Sequence, residues 1–122
     1  MLREAESISA ERVARNDAAF REANENISNT ARSLKLDEGL LPVICECADE
    51  RCSQLLKLTA EEYEAVRREP THFINAHGHH QSAGPWAQVV EEFQRYTVVE
   101  KLGKAAEIVK ELNPRTNQAA DG

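Results

Sequence analysis

All three cysteines of this 122-residue chain, Cys45, Cys47 and Cys52, lie within eight consecutive residues, in a C-x-C-x4-C pattern. An odd number of thiols cannot be paired off completely in disulfides within one chain. Thiolate is a soft ligand that suits Zn²⁺, and structural zinc sites take four Cys or His ligands. The pattern therefore predicts three of the four ligands of a zinc site, with the fourth supplied from elsewhere in the chain.

The candidates for the fourth ligand are His77, His79 and His80, which follow Cys52 by 25 to 28 residues. Gly78 lies among them, and its conformational freedom suits a turn that has to aim an imidazole ring. A ligand from a distant segment would make metal binding contribute to folding. Such a staple suits this chain because aromatic residues make up only 5% of it, which implies a small and mainly aliphatic core.

Two other interpretations of the cysteines remain open at this point. The thiols could be small buried side chains with the histidines exposed, or they could serve a redox or iron–sulfur role. The iron–sulfur alternative is disfavoured because such clusters usually take four cysteines, and the chain has three.

The residues around the cysteines favour a structural metal over a catalytic one. Glu46, Asp49 and Glu50 are close enough in sequence to supply a general base. A catalytic zinc, however, keeps one position open for water, whereas three Cys and one His close the coordination shell. The H-E-x-x-H, deaminase and P-loop patterns are all absent. The sequence therefore predicts a protein without catalytic residues.

A long N-terminal helix is predicted over residues 8–36, which contain neither Gly nor Pro. Val13, Phe20, Ile27 and Leu34 recur every seven residues and form a stripe on a helix. This helix could pack on its own domain, pair with a second copy, or dock on a larger partner. Because several Asn and Ser residues lower its intrinsic helicity, we expect tertiary contacts to stabilise it.

The rest of the chain predicts an α+β fold, in which the long helix precedes a small, mostly antiparallel, zinc-stapled sheet with two short helices. Gly39 and Pro42 mark the joint, so the chain is divided into a helix over 1–38, an α+β domain over 39–113 and a flexible tail over 114–122.

Thr59 and Glu62 form a predicted capping box for a helix that Pro70 ends after Glu69, with Tyr63 and Val66 on its core face. The other predicted segments are strands over 43–47, 54–58 and 72–76, a polar loop over 77–85, a hairpin formed by 86–93 and 95–101, and a helix over 103–112 with Leu102, Ala106 and Val109 facing inward.

Charge disfavours nucleic acid and anionic lipid as partners of the main domain. The net charge is −6, while residues 1–36 carry as many basic as acidic side chains, so the acidic excess lies entirely in residues 37–122. No apolar run is long enough to span a bilayer, and the N-terminus lacks the pattern of a secretory signal. We therefore expect a cytoplasmic protein, where thiols stay reduced.

Several stretches resemble a family of small uncharacterised bacterial proteins, namely RVARNDAAFREANENI, CECADERC, LTAEEYEAVRREPTHFI, the Gly-His pair, and QVVEEFQRYTVVEKLGKAAEIV with a closing NPR. The resemblance covers most of residues 11–115. It implies that the three cysteines and the Gly-His pair form the metal site, which would select His79. His77 and His80 depart from the family pattern. The family brings no known activity.

Together these features predict a non-enzymatic, zinc-binding interaction or regulatory module, whose N-terminal helix contacts a protein partner or a second copy. Three alternatives stay open: a transcription-associated regulator that docks on a large complex, a zinc-dependent hydrolase, and a thiol-based sensor of oxidant or metal.

Overall fold

The computed structural model describes residues 9–115. Residues 1–8, which the predicted division assigns to the N-terminal helix, and residues 116–122 of the predicted tail lie outside this range. The elements, in chain order, are helix α1 (Ala10–Ser33), strands β1 (Leu40–Ile44) and β2 (Leu55–Thr59), helix α2 (Ala60–Arg67), strand β3 (His72–Asn75), a 3₁₀ segment (His79–Trp86), strands β4 (Ala87–Glu92) and β5 (Thr97–Lys101), and helix α3 (Gly103–Glu111).

The predicted fold class is confirmed, with two small sheets where one was expected. β1 and β2 form an antiparallel ribbon, and a separate antiparallel sheet has the order β3-β5-β4. β5 carries the branched residues Val98 and Val99 and lies in the centre of the second sheet. The capping box is confirmed, since Glu62 N donates to Thr59 Oγ1 and Thr59 N donates to the Glu62 side chain.

Two cores lie on opposite faces of the three-stranded sheet, because successive residues of a strand point to opposite sides. One, the metal-side core, consists of Val43, Cys45, Cys47, Leu56, Leu58, Tyr63, Val66, Ile74, Ala76, Tyr96 and Val98. The other, the helix-side core, consists of Ala10, Ala14, Phe73, Val99, Ala105 and Val109. Ile74 and Phe73 on β3 thus belong to different cores, as do Val98 and Val99 on β5.

The predicted stripe on α1 is not the face that the helix buries. Of its four residues, only Val13 is buried, and Leu34 is 61% exposed. The buried face also repeats at helical spacing, but its second half is polar. Its members are Ala10, Val13, Ala14, Asp17, Ala18, Arg21, Asn24 and Ser28. The stripe follows hydrophobic side chains, whereas the face that α1 packs against the rest of the chain is held largely through ion pairs and hydrogen bonds, so packing of α1 on its own domain uses a different face from the stripe.

Those polar groups are paired in the interior. Asp17 Oδ2 lies 2.5 Å from Lys101 Nζ, and neither side chain is exposed. Arg21 donates to the carbonyl oxygens of Pro70 and Val109, at 2.8 Å each. The Arg21 guanidinium and the Lys101 ammonium also lie 4.7 and 4.8 Å from the centre of the Phe73 ring. Cations over an aromatic face are stabilised by its quadrupole, so Phe73 helps to accommodate two buried positive charges.

The end of α1 has a left-handed residue that is not glycine. Leu36 N donates to Ala31 O and Lys35 N donates to Arg32 O, as in a Schellman motif. Lys35 has φ of 59°, a region that costs an L-residue energy. α1 therefore ends before the predicted joint at Gly39.

Pro42 lies on the outer edge of β1. Ile44 turns its backbone N–H and C=O away from β2 and bonds to the side chain of Asn24. Residues 40, 42 and 44 share this orientation because backbone groups alternate along an antiparallel ladder. Pro42 therefore removes a donor only from the unpaired edge, where a proline is tolerated.

Three local predictions need correction. β1 ends at Ile44, so Cys45 and Cys47 follow the strand. The expected polar loop over 77–85 is largely the 3₁₀ segment, interrupted at Gly84 (φ 58°). In α3, Val109 is buried as expected, but Ala105 is buried in place of Ala106.

Within the predicted tail, Arg115 is anchored, because it pairs with Glu25 and Glu64 at 2.7 and 2.8 Å. No helix within residues 9–115 has the length and apolar character needed to cross a membrane.

Candidate metal centre

Four side chains from two distant parts of the chain converge at one point. The Sγ atoms of Cys45, Cys47 and Cys52 and a ring nitrogen of His79 all lie within 4.8 Å of one another. The structure thus brings together the three predicted cysteines and, of the three candidate histidines, the one that the resemblance selects. That they bind a metal remains a prediction.

The spacing of these atoms fits a tetrahedral metal ion. Zinc bonds of about 2.3 Å to sulfur and about 2.0–2.1 Å to nitrogen, at the tetrahedral angle, would hold S and N about 3.6 Å apart. His79 Nδ1 lies 3.5 Å from Cys45 Sγ and 3.6 Å from Cys52 Sγ. The donor set therefore fits zinc with Nδ1 as the ligating nitrogen.

Short backbone hydrogen bonds shape the cysteine segment, residues 45–52. Cys45 N donates to Gln54 O at 2.9 Å and extends the ladder of β1 and β2 by one bond. Cys52 N donates to Asp49 O at 2.9 Å, which closes a tight turn. The turn returns the chain, so Cys52 faces the same point as the other two cysteines.

The histidine turn, residues 76–79, depends on a glycine. Gly78 has φ of 82°, a conformation that L side chains rarely adopt. His79 N donates to Ala76 O at 3.0 Å across it. Ser82 then joins the two halves of the site, because its hydroxyl donates to His79 O and accepts from Ala48 N, at 2.9 Å each.

The three thiols interact strongly with one another. Ala76 N donates to Cys45 Sγ at 3.2 Å. The hydrogen bond from Cys45 lowers the pKa of Cys47 to about 5, while the same bond and burial raise the pKa of Cys45. Burial raises the pKa of Cys52. One thiolate therefore forms readily, and the two further deprotonations are the ones that a bound cation would favour.

The other two histidines have different surroundings. His77 is exposed, and its ring nitrogens lie 2.8 Å from Thr97 Oγ1 and 3.1 Å from Gln94 O. Among the described residues, the group that could hold a metal ion includes neither His77 nor His80. His80 is half-buried, and its Nδ1 has no hydrogen-bond partner in the described part of the chain.

Two of the three carboxylates near the cysteines, Glu46 and Asp49, are engaged by other groups. Glu46 is fully buried, and its side chain accepts hydrogen bonds from Ile74 N (2.9 Å), Asn24 Nδ2 (2.7 Å) and Arg67. Asp49 accepts from Arg51 N, and this bond lowers the pKa of Asp49, which weakens it as a base. The arrangement suits a closed metal site better than one that activates water.

Sequence reasoning missed the polar residues that hold the cysteine segment. Asn24 bonds to Ile44, Asn16 donates to Cys47 O at 2.7 Å, and Ser82 bridges to Ala48. Asn16 and Asn24 are eight residues apart, which places both near one side of a helix, but nothing in their type distinguishes them from solvated surface residues.

Comparisons of the chain with protein-family models, with curated proteins and with solved structures found no match. The resemblance to a bacterial family stays a prediction, and the case for function rests on the geometry of the site.

Proposed function

We propose that this chain is a non-enzymatic interaction module whose fold is stapled by one zinc ion, bound by Cys45, Cys47, Cys52 and His79. The observation that carries the proposal is the convergence of four ligand atoms within 4.8 Å of one another, from segments 27 or more residues apart. Three thiolates and one imidazole are a known structural donor set for zinc.

A structural role follows from the number and burial of the ligands. Four protein ligands leave no position for a water molecule, which a catalytic zinc requires. Cys45 and Cys47 are also members of the metal-side core. Loss of the ion would therefore remove the bonds that tie these side chains to His79 at the edge of that core, which is the role of a structural metal, so the hydrolase alternative is the less favoured one.

Metal analysis of the reduced protein tests the zinc assignment. We expect one zinc per chain and, after substitution with Co²⁺, the absorption of a tetrahedral thiolate site. Cys47→Ser should reduce zinc binding and the temperature of unfolding together. Reduced wild-type protein that binds no zinc, or a zinc-free protein as stable as the zinc-bound one, would contradict the staple.

The histidines supply a matched set of controls. His79→Ala should weaken zinc binding, whereas His77→Ala and His80→Ala should leave zinc affinity and the Co²⁺ spectrum unchanged. If His80→Ala has the larger effect, the fourth ligand is assigned wrongly and the 3₁₀ segment turns differently in the metal-bound protein.

The interaction role is supported by exposed leucines beside the end of α1. Leu34, Leu36 and Leu40 are 61%, 63% and 49% exposed. With Ile27 and Pro42 they form a leucine patch that contains a groove of about 450 Å³. Contiguous exposed apolar surface of this kind often marks a site of association.

A second copy of this chain is the occupant that we propose for the leucine patch. The residues that line its groove carry no charge, so two copies of a chain with net charge −6 can meet there with little repulsion at the contact. Leu34 and Leu36 are exposed and also line the groove, so the same patch on two copies can meet, as a two-fold interface requires.

Light scattering after gel filtration tests this occupant. We expect a dimer that Leu34→Glu converts to a monomer, while Leu112→Glu, at an exposed leucine directly after α3, leaves it unchanged. A wild-type monomer at the highest soluble concentration would show that the patch does not bind a second copy.

A further inference from the structure

Helix α1 contacts the cysteine segment through side-chain amides that bond to its backbone. Asn24 accepts from Ile44 N and donates to Ile44 O, both at 2.8 Å, directly before Cys45. Asn16 donates to Cys47 O at 2.7 Å. The two asparagines therefore hold the backbone on both sides of the C-x-C pair.

Glu46, between the two cysteines, holds the same backbone from the other side. Glu46 N donates to Ile74 O at 2.7 Å, and Ile74 N donates to a Glu46 carboxylate oxygen at 2.9 Å. Its other carboxylate oxygen accepts from Asn24 and from Arg67. The side chain of Glu46 thus points away from the thiols and connects α1, α2 and β3 at one point.

Because these groups are buried, the loss of any of these hydrogen bonds would cost free energy. Asn24 is 1% exposed and Glu46 is fully buried. A buried polar group that loses its partner keeps the full cost of its desolvation. The backbone of Ile44, Glu46 and Cys47 consequently has one favourable position, and that position determines where two of the four metal ligands lie.

We propose that Asn24, supported by Asn16 and Glu46, is a positioning residue of the metal site. It acts through the backbone that carries Cys45 and Cys47 and does not touch the ion. This inference rests on the proposed zinc site. Partners that orient metal ligands typically change metal affinity by about 10–100-fold when they are removed. The hydrogen bonds that Asn16 and Asn24 make to the cysteine segment are then coupled to metal binding, and each favours the other.

The test uses full-length reduced protein loaded with zinc, and measures the rate and equilibrium of zinc transfer to a coloured chelator. Asn24→Ala should weaken zinc binding by about 10-fold or more. Asn16→Ala removes one hydrogen bond to the cysteine segment and one to Asp17, from a half-buried side chain, and should give a smaller change in the same direction. Both variants should retain a tetrahedral Co²⁺ spectrum, because the four ligands are intact.

Two controls separate positioning from a general loss of stability. Asn29→Ala removes an exposed asparagine of the same helix and should transfer zinc as the wild type does. Val109→Ala destabilises the helix-side core, far from the cysteines in the fold, and should leave zinc affinity unchanged.

The outcomes are distinct. If Asn24→Ala and Asn16→Ala release zinc no faster than Val109→Ala, positioning by α1 is wrong while the zinc site stands. If the wild-type protein takes up no zinc, the proposed function fails and this inference falls with it.

Discussion

The two faces of the β3-β5-β4 sheet are stabilised in different ways. The helix-side core is built from alanine, valine and one phenylalanine, and charged side chains of α1 and β5 are paired above it. The metal-side core includes two of the thiols of the candidate site, and buried Glu46 and Arg67 lie beside it. One face depends on close packing of small side chains, and the other includes side chains of a candidate metal site. This difference predicts that substitutions on the two faces affect stability and zinc binding in separable ways.

The largest loss of unfolding free energy is expected when Glu46 is left without its buried cation. Arg67→Met removes the buried cation that pairs with it, and breaking such a pair typically costs about 3–5 kcal/mol of unfolding free energy. Chemical denaturation measures this loss. Arg95→Met is the matched control, because Arg95 makes a two-pronged pair with Glu62 that is partly exposed, and such pairs are worth about 1 kcal/mol or less. Equal losses in the two variants would contradict the argument from burial.

Asp17 makes the helix-side face sensitive to pH. Burial raises its pKa from 3.8 to about 6, although the ion pair with Lys101 opposes the shift. Because the folded pKa lies above the unfolded one, the folded state binds the extra proton between these values. The contribution of Asp17 to stability is therefore largest below about pH 4 and is lost as the pH rises through 6.

Carbon-13 NMR of the carboxyl groups measures this directly. Asp17 should titrate near pH 6, and Glu64, whose pKa the hydrogen bonds from Arg115 lower, should titrate below its ordinary value. An Asp17 signal that titrates below pH 4 would show that the ion pair outweighs burial.

A cavity in the helix-side core should lower the unfolding free energy by a smaller amount. Val109→Ala removes two methyl groups from a fully buried position and should cost roughly 2 kcal/mol of unfolding free energy. Val90→Ala, at a valine that is 42% exposed, should cost much less. Zinc stoichiometry should stay unchanged in both. A loss of zinc in Val109→Ala would show that the two faces are not separable.

The smallest change in unfolding free energy is expected from a substitution at the end of α1, outside both cores. Lys35→Gly relieves the left-handed conformation at φ 59°, and should stabilise the fold by about 0.5–1 kcal/mol after the greater freedom of glycine in the unfolded chain is included. Thermal unfolding measures the gain. Lys35→Ala removes the same charge without relieving the strain, so a similar gain in that variant would assign the effect to charge.

Much of the fold follows from local sequence signals, while the packing of α1 does not. The helix starts, the capping box at Thr59 and the valine-rich strand β5 are encoded by nearby residues. The buried face of α1 is encoded by partners that lie far away in sequence, such as Lys101 for Asp17 and Ile44 for Asn24. Hydrophobic periodicity alone therefore does not identify the buried side of this helix.

The same contrast applies to the candidate site. The identities of the cysteines and the turn at Gly78 show in the sequence, because metal ligands are few in type and close in spacing. The role of Glu46 does not show, since a glutamate between two cysteines could equally be a base or a solvated side chain. Only its hydrogen bonds to Ile74, Asn24 and Arg67 distinguish these cases.

The outer edge of β1 bears on how this protein avoids aggregation. The leucine patch lies beside this edge, and an exposed strand next to apolar side chains is a template for adding strands from other chains. Pro42 offers no N–H there, and the N–H of Ile44 is already bonded to Asn24. Of the three residues that face this edge, only Leu40 could still donate to an incoming strand. The edge of β1 is therefore a poor template for a continuous sheet, even though apolar side chains are exposed beside it.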